Sequence, residues 1–224
     1  MKHIQTSLYN FLCEATYLKD AQYSQEANDF FDKMIEDLEK GNYHRKDDDL
    51  YYFGFNTDDK YKDLVVLFTL KNSNVANPNM DGFTTGYGFG NAKGFNIITA
   101  NNLDKEFKPY KNLNKTAFVH ELIHYLDTKR NPVRKVDMSS IKKYYNNPNE
   151  FNAYYMEAFN FVHNIIKDKK LKKSFIKNFK NFDEFKSWMI NKVFDKDFIL
   201  NLNENFTKKL HKRLYTLWEE IINI

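Results

Sequence analysis

Apolar residues recur at helical spacing over residues 4–40, which predicts helix there, with a break expected around Asp20–Ser24. The second part sets Phe30, Phe31, Met34, Ile35 and Leu38 at that spacing, and Gly41-Asn42 supplies a stop. Leu50–Phe55 and Leu64–Leu70 are rich in aromatic and β-branched residues and read as strands, separated by the turn-forming Asn56-Thr57-Asp58-Asp59. The run Leu64-Val65-Val66-Leu67-Phe68 is apolar at every position, as for a strand covered on both faces. Asn72 to Gly94 reads as a glycine-rich loop or hairpin, Phe95–Ala100 as a further strand and Asn101–Asn112 as a connection. A helix is then expected over about Asn114–Thr128, capped by Asn114 and ended by Arg130-Asn131-Pro132. From Pro148 onward everything reads as helix, the first capped by Asn147 and others covering 169–180, 183–194 and 204–222. Strands in the first half and helices around them predict an α+β fold.

A chain of 224 residues can bury one good core, or one domain with an appendage. The 21 Phe and 15 Tyr argue against disorder, and the 29% of charged residues make a highly charged surface. A formal charge of +4 does not by itself imply nucleic-acid binding. Arginine occurs only at Arg45, Arg130, Arg134 and Arg213, so guanidinium-based phosphate reading is not expected and nucleic acid is not an expected partner. The single cysteine, Cys13, rules out an intramolecular disulfide and a Cys-based zinc site. No apolar run approaches the ~20 residues of a transmembrane helix. Gln5, Asn10 and Glu14 interrupt what would be a secretory signal, so the chain is expected to be soluble and made in a cytoplasm. Five of the seven glycines fall at Gly82, Gly86, Gly88, Gly90 and Gly94, a spacing that fits neither a P-loop nor a dinucleotide fingerprint.

The chemistry concentrates in His120-Glu121-Leu122-Ile123-His124, an H-E-x-x-H pattern inside the expected helix. Two histidines four apart lie one above the other on a helix face, so their imidazoles can converge on one metal ion. Glu121, beside the first His, reaches the metal's bound water. The bland alternative is two core histidines four apart by accident. Ala117, Phe118, Val119, Leu122, Ile123, Tyr125 and Leu126 leave the motif uncharged on both sides, as in a helix buried through a domain centre.

A catalytic zinc usually takes three protein ligands and leaves the fourth position to water. Asp127, Glu150, Glu157 and His163 are the downstream candidates. Asp127 is one turn past His124 on the same helix, where a short side chain orients an imidazole or steadies the helix end more readily than it ligates. Glu150 begins the next long helix, in Asn149-Glu150-Phe151-Asn152-Ala153-Tyr154. Glu157, seven residues on, shares that face two turns deeper and is the main competitor. His163 reads as an ordinary helical histidine.

Glu150 and its small-residue surroundings, about two dozen residues beyond His124, resemble the E-x-x-A ligand helix of the gluzincin metallopeptidases. The resemblance covers roughly residues 60–165, and "HELIHYLD" followed by "NPNEFNAY" looks like small metallopeptidase-type proteins common in phage genomes. It implies a minimal zincin-like domain over 15–165, a small, mostly antiparallel sheet packed on the H-E-x-x-H helix and the Glu helix. Residues 166–224 would be a helical extension packed on the same domain. It further implies Zn²⁺ held by His120, His124 and Glu150, Glu121 as general base, and a polypeptide substrate. Tyr154 or Tyr155 would be an oxyanion donor, unless both are packing aromatics. Substrate is expected to lie along an edge strand, Phe95–Thr99. Thermolysin-like relatives keep an Asp four residues after the ligand Glu; this chain has Tyr154 there, which sets it apart from that subclass.

Met1–Ala15 is similar to the capsid-targeting peptides of internal head proteins in large contractile-tailed phages, which are cut after an L/I-x-E tripeptide. Leu12-Cys13-Glu14 before Ala15 matches. That resemblance implies packaging in a virion with capsid or scaffold proteins as partners. An amphipathic docking helix (Ile4, Leu8, Phe11, Leu12) over residues 1–14 accounts for the same sequence. A metal-binding structural or interaction protein of the virion, without catalysis, is the alternative to a peptidase. Lys167–Lys180 carries seven lysines against one acid, Asp168, with Leu171, Phe175, Phe179 and Phe182 at helical spacing. An apolar stripe on the core with solvated lysines explains it, and contact with an anionic partner is the other reading. Trp188 and Trp218 are expected in the core.

Overall fold

A computed structural model describes residues 2–42, 44–47, 50–54, 64–70, 82–89, 92–99, 115–130 and 139–223, with side chains at 17–42, 66, 115–116, 118–127 and 139–222. The expected turn at Asn56–Asp59, the connection Asn101–Asn112, the cap Asn114 and the stop at Asn131-Pro132 lie outside these. The chain groups into two units, Met1–Glu26 with Arg134–Ile224, and Ala27–Val133.

Helix α1 runs without interruption over Lys2–Glu39, so the break expected at Asp20–Ser24 is not there. The residues that read as a break are buried and partnered instead. Asp20 pairs with Arg213 at 2.9 Å, and the Ser24 hydroxyl donates to Asn160 Oδ1 at 2.6 Å. Polar groups that compete with a helix in isolation are compatible with one when a tertiary partner satisfies them. The helix stops where expected. Gly41 adopts φ +81°, Gly41 N–H donates to Leu38 O at 3.0 Å and Asn42 N–H to Asp37 O at 3.0 Å. These two bonds are a Schellman cap, which needs the left-handed backbone glycine reaches without a Cβ penalty.

In the unit Ala27–Val133, the latter part of α1 buries Ala27, Phe30, Met34 and Leu38 at helical spacing. Five strands follow as backbone: β1 (His44–Asp47), β2 (Leu50–Gly54), β3 (Leu64–Leu70), β4 (Gly82–Phe89) and β5 (Ala92–Thr99). Their order is β1-β2-β3-β5-β4, with β3 and β5 parallel and the other pairs antiparallel. The glycine-rich segment expected as loop or hairpin thus holds β4, hairpin-paired to β5. Helix α2 (Lys115–Arg130) lies along β4 and β5. Phe118 stacks on Phe30 with centroids 5.8 Å apart and meets Phe31 edge-on at 5.1 Å. Phe118, Val119, Leu122, Ile123, Tyr125 and Leu126 are all buried, so α2 is covered around its circumference.

The other unit is helical: the first part of α1, α3 (Ile141–Tyr145), α4 (Pro148–Lys167), α5 (Lys169–Ile176), α6 (Phe182–Trp188), α7 (Lys196–Asn201) and α8 (Glu204–Asn223). A π-turn, Met189–Val193, continues α6. Asn147 caps α4, its side chain accepting from Asn149 N–H at 2.9 Å, with Pro148 in the first turn. Phe175, Phe179, Phe185, Trp188 and Trp218 form a continuous aromatic cluster with successive centroids 5.1–6.5 Å apart. Phe175 and Trp218 are buried, whereas Leu171, expected on the same stripe, is 54% exposed.

The α+β expectation, a sheet-based domain with a helical appendage, is corrected. Of the residues described with their side chains, 85% are helical and none forms a stretch of strand, so the class they define is predominantly helical. The reason is physical. Long helices bearing Phe, Tyr and Trp bury their aromatic faces against one another, and an unbroken α1 adds turns that the local polar signals counted against.

Candidate metal centre

Helix α2 positions the histidine pair one turn apart, and burial of its apolar residues leaves each ring little freedom. His120 Nε2 and His124 Nε2 stand 3.2 Å apart, with ring centroids at 4.9 Å and planes at 77°. Zn–N bonds of about 2.0–2.1 Å at a tetrahedral ion put two nitrogens about 3.3 Å from each other. The same separation also suits an N–H···N hydrogen bond between neutral rings. His120 and Glu121 are buried and His124 is half-buried.

Glu150 sits in the first turn of α4 and is only 5% exposed, with Oε2 shut off from solvent. Burial first, then the Glu150 charge, push the Tyr144 phenol at the end of α3 far above the ordinary tyrosine range.

His120, His124 and Glu150 each offer a ligand atom, and these atoms all lie within 4.8 Å of one another. They form a group able to bind a metal ion. Two imidazole nitrogens and a carboxylate oxygen, buried together, are the donor set that catalytic zinc takes, and the nitrogen spacing suits a shared ion. The residues fit the group that the sequence implies.

Glu157, the competitor, is half-buried and stands outside the group, as does the buried Asp127. His163 is a core histidine: Tyr17 Oη lies 3.2 Å from its Nδ1, and burial followed by the Lys167 charge pushes its pKa down to about 4. Tyr155 is fully enclosed, with the Arg213 guanidinium 3.4 Å above its ring centre, a packing position. Tyr154 stacks on Phe198 with centroids 4.9 Å apart and meets the Tyr145 ring at 5.3 Å, a packing position. Phe95–Thr99 is not an edge. It lies within β5, an inner strand of the sheet, where Phe95–Ile97 pair with β3 on one side and β4 on the other and Ile98 and Thr99 pair with β3.

No family model, curated protein or solved structure matches the chain.

Proposed function

We propose that this protein is a zinc-dependent metallopeptidase that hydrolyses peptide bonds in a polypeptide substrate. The observation that carries the reading is the buried His120, His124 and Glu150 group with Glu121 next to the first histidine. A structural zinc site needs no adjacent general base, and Glu121 supplies one.

His120, His124 and Glu150 would hold the ion. Zinc in such a site lowers the pKa of a coordinated water to about 7 and polarises a carbonyl. Glu121 would accept the proton of the attacking water and deliver it to the leaving nitrogen. Glu121 is buried among the apolar residues of α2, which keep bulk water from its carboxylate.

The test is metal content by elemental analysis together with hydrolysis of a casein-type substrate, for wild type beside Glu121→Gln. An active, zinc-loaded wild type and an inactive, zinc-loaded variant support the peptidase. Zinc in both proteins with hydrolysis in neither would leave the non-catalytic metal-binding protein, for which the virion is the proposed setting. A wild type without metal would end both.

A further inference from the structure

Helix α5 buries Phe175 and leaves its lysines to solvent. Lys169, Lys173 and Lys177 recur every four residues and form one row along the helix, with Lys170 beside it. These four and Lys180, just beyond the helix, are exposed, and none makes an ion pair with a described residue. The acids of the same stretch are engaged elsewhere. The Asp168 carboxylate caps α5, accepting from Lys170 N–H at 2.7 Å and Leu171 N–H at 3.0 Å. Asp183 pairs with Lys186 at 3.3 Å, and the Glu184 carboxylate accepts from Lys180 N–H at 2.9 Å. The stretch keeps a positive excess that solvent ions or a partner must meet.

Water meets bare lysines at no cost, but not large apolar side chains. Phe161 of α4 is 52% exposed and Leu171 of α5 is 54% exposed. A line of ring contacts connects them. Phe161 stacks on Trp188 with centroids 6.3 Å apart, and Trp188 meets Phe175 edge-on at 5.3 Å. Leu171 lies one turn before Phe175 on the same side of α5 and follows Lys170 in the chain. Exposed apolar surface thus borders the lysine row.

We propose that this face of α5, together with Phe161, docks on an anionic lipid bilayer. Lysine ammonium groups are drawn to anionic headgroups, and their alkyl stems lie along apolar surface while the charges stay at headgroup level. Leu171 and Phe161 enter the boundary between headgroups and acyl chains, an apolar environment that a soluble polyanion does not offer. None of these cations is an arginine, so the face lacks the bidentate phosphate contacts that favour nucleic acid. A bilayer meets both the charge and the apolar surface. The inference does not depend on the metal centre.

The experiment is co-sedimentation of the full-length protein with vesicles of phosphatidylcholine, alone or with a third of phosphatidylserine, at low and physiological salt. Wild type should bind the mixed vesicles and not the neutral ones, more weakly as salt rises. Combining Lys169→Gln, Lys173→Gln and Lys177→Gln should weaken binding about 100-fold, at roughly fivefold for each charge removed. Leu171→Gln keeps every charge and should still bind about 5–10-fold more weakly. Far-UV circular dichroism checks that the variants fold, and Leu171→Gln decides the matter if the triple variant does not. Wild-type affinity in folded Leu171→Gln, or equal binding of wild type to both kinds of vesicle, would overturn the inference. So would binding to a short DNA duplex at the same salt by a wild type that leaves the mixed vesicles unbound, which would assign the lysines to nucleic acid.

Discussion

Arg213 Nη2 donates to Asp20 Oδ1 at 2.9 Å although 193 positions separate the two residues. Their side chains are 13% and 10% exposed, so this is a pair largely withdrawn from water. The guanidinium also donates to Asn152 Oδ1 at 2.9 Å and covers the Tyr155 ring. Removing one partner strands the other charge in a low-dielectric setting, which costs more than the pair contributes when intact. Arg213→Ala should lower the unfolding free energy by about 3–5 kcal/mol in urea titration. Asp20→Asn with Arg213→Met should recover part of that loss. A single variant with unchanged stability would remove the pair from the account of α1.

The histidine spacing makes a separate prediction about metal. If the 3.2 Å between the Nε2 atoms reflects two ligands of one ion, wild type binds zinc at one ion per chain and gains stability from it. At zinc 100-fold above the dissociation constant the gain is about 2.7 kcal/mol, read as a rise in Tm that a chelator reverses. His124→Ala and Glu150→Ala should lose both the ion and the rise, and Glu157→Ala should keep them. Equal metal content in all four proteins would disprove the assignment.

His163 sets an acid limit on stability. Its folded pKa of about 4 lies below the ordinary value of 6.5, so the unfolded chain takes up a proton that the folded chain refuses. Its contribution is fully favourable to the fold above pH 6.5 and is lost as pH falls from about 6.5 towards about 4. His163→Gln, which keeps a polar group for Tyr17, should flatten the stability profile over that window in denaturant titrations. An equally steep acid limb in the variant would assign it to other groups.

At the end of α1, Gly41→Ala should destabilise without any clash, because no atom lies within 4 Å of the added Cβ. The cost comes from the left-handed backbone alone, about 1–2 kcal/mol. Gly41→Asn should cost less, since Asn tolerates that conformation better. Thermal melts of the three proteins check the order.

Local chemistry in the sequence determined the H-E-x-x-H helix, the Gly41 stop and the Asn147-Pro148 start of α4. Each depends on spacing within a turn or two, on a capping residue or on a helix period, which neighbouring residues decide among themselves. Tertiary contacts decided the rest. Asp20 and Ser24 stay helical only because Arg213 and Asn160 meet them, and Phe95–Ile97 is denied an edge by β4. In each case a polar group or an open hydrogen-bonding side finds its partner through space, and a pattern read along the chain carries no record of that pairing.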